Sequence, residues 1–516
     1  MNLPSSAQSS GGERRVEHRS PLMGNLYKTA DETDPTSLVD VVIELNTRYP
    51  GGIEAARSAF LDLWKRVRPT PPTSPNEDAQ PIQVSRHLYK VSLSRFLLDE
   101  LISWDREDAA RPPCVFRAWE DYLLYPGIDR SVKTVKADAA WRSFNAMGSR
   151  VVWAVIDSGI QADHQHFSGL EISGELVRQQ TGQGAPAVLT GGLHRDFSGL
   201  VATSQLGPAG PESPLTDEFG HGSHVAGIIA GACPSGATPV VASSDEPSAG
   251  IGFVPRTPTG QLTGMAPNCE LVSLKVMRRD NLGNWVTSWS TVLAALEYVR
   301  TEVNVSRSKM RIHGVNISLG CEWDPLHYAA GQSPLCQAVN ELVASGVVVV
   351  ISSGNGGSTV ASDDAKQRIS LMGTVTEPGH AEQAITVGST HRDAPTIFGV
   401  SWRSGKGPTL DGRSKPDVVA PGEWITSVAV GTIRSAANLV KPDIDPTLTY
   451  AEQSGTSMAA PHVSGVIAAF LSNRPEYIGR PQEVKELVCR TATDLGRERY
   501  AQGAGLIDAM RMLSNS

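Results

Sequence analysis

A succession of short apolar runs constrains this chain more than any other feature. RVVWAVIDSGI (Arg150–Ile160), LVSLKVM (Leu271–Met277), GVNISLG (Gly314–Gly320), VVVVISSGNG (Val347–Gly356) and AITVGST (Ala384–Thr390) each read as a strand. A strand buried on both faces is written as a continuous apolar run rather than as an alternation. Helical patterns lie between them, as in SWSTVLAALEYVR (Ser288–Arg300) and LCQAVNELVAS (Leu335–Ser345). Strands alternating with helices imply an α/β fold, a doubly wound and mostly parallel sheet with helices on both faces. In such sheets ligands and chemistry collect at the carboxyl ends of the strands.

Three polar residues fall at that kind of position. Asp157 ends the first run. His221 stands at the mouth of an Ala/Gly/Ile helix in FGHGSHVAGIIAG (Phe219–Gly231), between Gly220 and Gly222. Ser457 lies in QSGTSMAAPHVSG (Gln453–Gly465), two residues after Gly455, which is expected to let the backbone turn sharply. The helix expected over about Ser457–Leu471 points its free N–H groups and positive dipole end at the Ser457 hydroxyl. Asp, His and Ser in that chain order suit a nucleophile, a base and a group that orients the base.

Each residue also has a plainer reading. Asp157 and Ser457 are acceptable helix N-caps. Asn355 is an acceptable turn residue, since Asn tolerates left-handed backbone. His224, one helical turn from His221, suggests a metal pair, but no glutamate or other ligand cluster accompanies it. His224 and His462 are therefore expected to be structural. Taken together, the motifs favour catalysis.

The motifs, in this order, resemble the subtilases, the family of subtilisin-like serine proteases, from about Val135 to the C-terminus. The resemblance implies a triad of Asp157, His221 and Ser457, with Asn355 in the oxyanion hole. Ser223 replaces the usual Thr of the His motif. Ser318, Leu319 and Gly320 resemble the segment that pairs with an extended substrate, and Ser352, Ser353 and Gly354 a wall of the primary pocket. Small residues there suggest a roomy, uncharged pocket. DVVAPG (Asp417–Gly422) and GAGL (Gly503–Leu506) match further landmarks. The implied reaction is peptide-bond hydrolysis through an acyl-enzyme, needing no metal or organic cofactor. Many relatives carry a calcium loop in the region of Pro234–Gly260; only Asp245 and Glu246 supply carboxylates here, so no calcium site is assigned.

Composition is compatible with a globular enzyme. The 516 residues carry a net charge of −8 with both signs dispersed, so neither nucleic acid nor an acidic tail is expected. Arg14, Arg15 and Arg19 precede no apolar core of a signal peptide, and no apolar run of roughly 18–20 residues marks a membrane span. The six cysteines form no tight framework, and a Cys321–Cys336 bridge is the one pairing considered. These points set an expectation of a cytoplasmic protein. Nothing in the sequence sets an oligomeric state.

Residues 1–35 read as a disordered lead. Residues 36–126 form a separate block: a strand (Leu38–Asn46), a helix with Ile53, Ala56, Phe60, Leu63 and Val67 in register, and a Pro-rich linker (Pro69–Pro81). A strand (His87–Ser94), a helix facing inward through Phe96, Leu97, Leu101 and Trp104, and a strand with its exit (Cys114–Pro126) follow. This order is compatible with a small α+β, ferredoxin-like domain. In place and pattern it resembles the inhibitory propeptide of subtilases, whose tail plugs the cleft. Residues 127–134 are then a linker, residues 135–516 the catalytic domain, and Tyr125–Val135 the stretch expected to hold a processing site. Segments Gly169–Pro214 and Pro234–Gly260 read as surface insertions beside the cleft. The leading expectation is a self-inhibited, self-cleaving zymogen of a serine endopeptidase acting on polypeptides. The alternatives are a catalytically idle peptide-binding module and a latent protease released by a partner.

Overall fold

The computed structural model describes residues 38–67, 80–107, 111–120, 123–126, 132–168, 192–200, 213–243, 253–256, 258, 262–322, 328–362 and 365–515. The expected lead, residues 69–79 of the Pro-rich linker, most of the first insertion and residues 244–252 of the second lie outside the described residues.

The first unit contains β1 (Leu38–Leu45), α1 (Gly52–Val67), β2 (Ile82–Gln83), β3 (Leu88–Ser94), α2 (Arg95–Asp105) and β4 (Val115–Glu120). Its sheet runs in the order β2-β3-β1-β4, with β1 antiparallel to both neighbours. The period of two along β1 divides its side chains. Val41, Ile43 and Leu45 join Phe60, Trp64 and Leu98 in the unit's own core, whereas Val42 faces the other way. The inward face of α2 differs from expectation at Phe96, whereas Leu101 is buried and Leu97 and Trp104 pack against the core as expected. Leu98, Leu101, Ile102 and Asp105 are buried, while Phe96 is 58% exposed. The cause is polar. Asp105 accepts hydrogen bonds from the Cys114 and Val115 backbone N–H groups, both at 2.9 Å, and so fixes the rotation of α2 against β4.

The exit of this block toward Pro126 is itself a strand. After β4 a further strand, β5 (Leu123–Pro126), leaves the first sheet and joins the second unit.

That second unit is built on a seven-stranded sheet, parallel throughout. Its strands are β6 (Val152–Asp157), β7 (Arg195–Asp196), β8 (Glu270–Lys275), β10 (Gly314–Ile317), β12 (Val348–Ser352), β13 (Ile385–Thr390) and β14 (Val418–Pro421), in the order β14-β13-β12-β10-β6-β8-β7. Two short strands outside it matter for function: β9 (Trp285–Ser288) and β11 (Leu319–Gly320). Four helices pack against the sheet's two faces: α3 (His221–Ile229), α4 (Trp289–Glu297), α5 (Pro334–Ala344) and α6 (Thr456–Asn473).

Alternation along β6 explains its unbroken apolar run. Trp153 and Val155 pack toward α3 and α6, and Ala154 and Ile156 toward α4 and α5. Both faces are dry, so both must be apolar. The strand order reverses beside β6, which opens a crevice at its carboxyl end. α6 runs through the middle of the unit, buried from Thr456 to Leu471. The later landmarks meet at the sheet edge: Ala504 donates its N–H to the Asp417 carbonyl at 2.8 Å, and Val419 to that of Gly505 at 2.9 Å. No described helix is long and apolar enough to cross a membrane. All six cysteines are free; Cys321 Sγ accepts from the Trp289 indole at 3.3 Å, and Cys336 Sγ donates to Glu377 Oε2 at 2.8 Å.

Candidate active site

Asp157 sits at the carboxyl end of β6 and is 1% exposed. Its Oδ1 accepts the Ser158 N–H at 2.8 Å and faces His221 Nδ1 at 2.7 Å. This contact fixes the imidazole ring and directs its other nitrogen away from the carboxylate. The glycines around His221 answer to space. A Cβ on Gly220, whose φ is +98°, would lie 2.3 Å from the Val430 carbonyl oxygen, and one on Gly222 would lie 2.2 Å from that of Gly159. Only bare backbone lets α3 begin this close to β6. Phe219 stacks on the His221 ring at 5.9 Å and on Trp285 at 5.3 Å, forming an aromatic wall.

Ser457 lies in the first turn of α6. Its Oγ–H donates to the Ser318 carbonyl at 3.0 Å, and the Ser318 hydroxyl donates to the Ser457 carbonyl at 2.8 Å. Behind them Asn316 Nδ2 donates to Ser318 Oγ at 2.9 Å, and Ser464 Oγ donates to Asn316 Oδ1 at 2.9 Å. This chain pins the start of α6 to the end of β10. Gly455 does not turn as expected. Its φ of 166° is extended backbone that any residue adopts, and the spatial demand falls on Gly422, where a Cβ would lie 2.6 Å from the Gly455 carbonyl oxygen.

Asn355 follows β12 and is exposed. Its Oδ1 accepts both the Thr456 N–H at 3.0 Å and the Thr456 hydroxyl at 3.2 Å. With the oxygen so occupied, the amide's donor end is the free-facing one. Ser353 and Gly354 form the wall beside it. Ser353 donates its hydroxyl to the Gly405 carbonyl at 3.1 Å, and the Gly354 N–H bonds Thr456 Oγ1 at 3.1 Å. Ser352 is the last residue of β12.

Leu319 and Gly320 lie in β11, which is paired. β5 runs antiparallel to it, with Pro126 opposite Leu319 and Tyr125 opposite Gly320. On its other side β5 runs antiparallel to β9, with Leu124 opposite Thr287 and Leu123 opposite Ser288. The backbone that follows the first unit therefore fills the strand position between β9 and β11, leading toward Ser318 and Ser457.

Asp217 is a site residue that sequence reasoning missed. It is 2% exposed and accepts four hydrogen bonds: Ser158 Oγ at 2.9 Å, Gly220 N at 2.7 Å, Ser223 N at 2.8 Å and Ser223 Oγ at 2.7 Å. Burial pushes its pKa up, and the four donors hold it down in part. It ties the residue after Asp157 to the turn that carries His221. Two small hydroxyl residues flanking the candidate pair were the available signal, because a buried hydroxyl needs an acceptor. His224 and His462 take structural places. His224 Nε2 faces the Ala451 carbonyl at 3.1 Å, and His462 Nδ1 that of Met458 at 2.7 Å. Burial lowers the His224 pKa to about 3, which keeps it neutral. Among the described residues no group of three or more His, Cys, Asp or Glu is arranged to hold a metal ion. Asp245 and Glu246 lie outside the described residues.

Comparison with known proteins agrees with this geometry. The Subtilase family model matches residues 148–505, more than half of the chain. The serine protease AprX of Bacillus subtilis is 29% identical over 379 residues, covering 70% of this chain and 72% of its own. Subtilisin Savinase of Lederbergia lenta is 28% identical over 362 residues, covering 70% of this chain and 97% of its own. The alkaline protease of Alkalihalobacillus alcalophilus is 28% identical over 385 residues, covering 74% of each. A parallel α/β sheet with Asp157, His221, Ser457 and Asn355 gathered at its carboxyl edge, matched along this length, places the chain in the subtilase family as a subtilisin-like serine endopeptidase.

Proposed function

We propose that this endopeptidase is a self-inhibited zymogen in which Ser457 is the nucleophile, His221 the base and Asp157 the group that orients it. His221 takes the Ser457 proton as Oγ attacks a peptide carbonyl, and Asp157 stabilises the imidazolium that forms. Asn355 Nδ2 and the Ser457 backbone N–H hold the oxyanion of the tetrahedral intermediate. His221 then protonates the leaving amine, and water repeats the attack on the acyl-enzyme. An extended polypeptide substrate binds by adding a strand to Ser318–Gly320.

The observation that carries the inhibitory part is the position of β5. Leu123–Pro126 lies as a strand between β9 and β11, where a substrate would lie, and its chain continues from the first unit. The test is intact mass and N-terminal sequencing of the wild type beside Ser457→Ala. Loss of a fragment ending between Tyr125 and Val135 in the wild type alone supports self-cleavage. Both chains staying full length under conditions where Ser457 labels with a fluorophosphonate counts against it.

A specific observation favours latency after any cut. Val42, Val84, Leu88 and Trp119 of the first unit share one apolar core with Trp289, Leu293 and Tyr328 of the second. Burying such a face ties the two units without help from the covalent link. The first unit then holds the cleft until a partner or a second protease removes it.

A further inference from the structure

A cationic aromatic patch beside the candidate site takes no part in the mechanism above. Trp402 is 44% exposed, and the guanidinium carbons of Arg368 and Arg403 lie 4.1 and 5.0 Å from its ring centre. Stacking on the indole pre-organises each guanidinium, whose N–H fork suits a planar carboxylate. The nearby Lys406 is buried, and its ammonium donates to the Gly357 carbonyl at 3.0 Å, the Ser370 hydroxyl at 2.8 Å and the Trp402 carbonyl at 3.5 Å. Among the described residues none of these three cations has a carboxylate partner. The chain carries 54 acidic residues and a net charge of −8, so three neighbouring cations left without one favour an anion from outside. The patch is bonded to the wall of the site. The Gly405 N–H donates to the Gly354 carbonyl at 2.7 Å and the Gly357 N–H to that of Arg403 at 2.9 Å. A Cβ on Gly357 would lie 1.9 Å from the Ser404 carbonyl oxygen, so only bare backbone lets the two segments meet. Arg368 comes from a two-stranded hairpin, Ser358–Ser362 with Ala365–Ser370, in which Val360 stands opposite it.

We propose that Arg368, Trp402 and Arg403 form a docking site, outside the slot between β9 and β11, for an acidic segment of the polypeptide substrate downstream of the cut bond. The hairpin favours a polypeptide over other anions. Its two strands pair with each other alone, so an extended backbone can bond along an open edge while a carboxylate reaches the guanidinium pair. Val360, 48% exposed, offers that segment an apolar contact. Position supplies the direction. Gly354 and Gly320 flank one side chain, since a Cβ on either would lie 2.6 Å from Thr376 Oγ1. The wall therefore faces β11 at Gly354, passes Asn355 and reaches the patch at Gly357. A substrate that enters along β11 leaves past Asn355, toward Trp402. β5 fills only the slot between β9 and β11, which leaves the docking site open in the uncut chain.

The direction rests on Ser457 as the nucleophile, whereas binding does not, and the experiment separates the two. The full-length Ser457→Ala chain is titrated with fluorescent peptides in which Val alternates with Glu or with Gln. The Glu peptide is expected to bind about tenfold more tightly, the scale of two surface charge pairs, and to lose that margin as salt is raised. Arg368→Gln combined with Arg403→Gln is expected to remove the margin and to fold, since neither guanidinium bonds to the rest of the described chain. In the full chain with Ser457 intact, Glu placed downstream of the cut is expected to lower KM by a similar factor, and the double variant to abolish the difference. Equal binding of the two peptides, or a margin that survives the double variant, overturns the docking site. Binding of phosphatidylserine vesicles in place of the Glu peptide also overturns it, because the oxyanion is then a lipid's. Asp363 and Asp364 lie outside the described residues. A margin seen only in Asp363→Asn combined with Asp364→Asn would show that the chain fills the clamp itself, and overturns the proposal as well. A KM indifferent to the downstream Glu overturns the assignment to substrate. Failure of Ser457 to label, with the peptide margin intact, removes the nucleophile and leaves the docking site standing.

Discussion

Thr456 gives both its backbone N–H and its hydroxyl to the side-chain oxygen of Asn355, at 3.0 and 3.2 Å. The residue before the proposed nucleophile thereby orients the proposed oxyanion donor. Asn355→Ala is expected to lower kcat by about a hundred- to a thousandfold with little change in KM, because that donor acts only as charge develops. Thr456→Val keeps the backbone bond and removes the hydroxyl; its loss should be smaller and again in kcat. Equal rises in KM for both variants would assign Asn355 to substrate binding instead.

Asp217 concentrates four hydrogen bonds on one buried carboxylate between Ser158 and Ser223. Asp217→Ala strands two hydroxyls and two N–H groups in a dry site. The expected cost is about 3 kcal/mol or more of stability. Asp217→Asn retains one acceptor oxygen and is expected to fold while losing kcat, since the His221 turn is then held on one side only. Denaturant midpoints and steady-state kinetics of the two variants measure these effects. Wild-type kcat in a folded Asp217→Asn chain would show that the turn holds His221 without it.

The edge that carries the candidate site was readable because each strand ends abruptly. Asp157 and Asn355 follow unbroken apolar runs, and His221 and Ser457 precede apolar helices, so their places follow from where burial stops. The residues that were not readable act through partners distant in sequence. Asp217 looks like a turn acid until Ser158 is brought to 2.9 Å from 59 residues away. Phe96 departs from the expected inward face of α2 for the same reason: the helix's rotation is also set by Asp105 reaching across to Cys114 and Val115. The departure of β5 has no local signal, because its pairing belongs to β9 and β11.

A cluster of buried neutral histidines is expected to make the fold acid-labile. Burial lowers the pKa of His164 to about 4 and of His166 to about 3, and His224 likewise falls to about 3. Below the ordinary value of about 6.5 the unfolded chain binds protons that the folded chain does not. Stability is therefore expected to fall as pH drops from about 6.5 toward about 4, by a few kcal/mol in total. His166 faces the Gly227 and Ala230 carbonyls at 3.1 and 3.2 Å and Tyr450 OH at 3.3 Å. Glutamine there does not titrate. His166→Gln should lower the midpoint at pH 7 yet flatten its slope between pH 6.5 and pH 4. An unchanged slope would place the acid sensitivity elsewhere.

Trp119 separates docking from folding of the first unit. Its ring packs edge-on against Tyr328 at 5.3 Å and tilted against Trp289 at 6.4 Å, and its indole N–H donates to Glu44 Oε2 at 2.9 Å. The core of the first unit lies on the opposite face, around Phe60, Tyr89 and Leu98. Trp119→Ala therefore removes the largest of the side chains that the first unit gives to the shared core, beside Val42, Val84 and Leu88, and leaves the unit's own core intact. A central buried tryptophan is commonly worth about 2 kcal/mol or more at an interface, which shifts the undocked population by roughly thirtyfold. In the full chain the rate of Ser457 labelling by a fluorophosphonate should rise in proportion, while chymotryptic digestion still reports a folded first unit. A labelling rate equal to the wild type would mean that the β5 backbone pairing and the remaining Val42, Val84 and Leu88 contacts hold the cleft without Trp119.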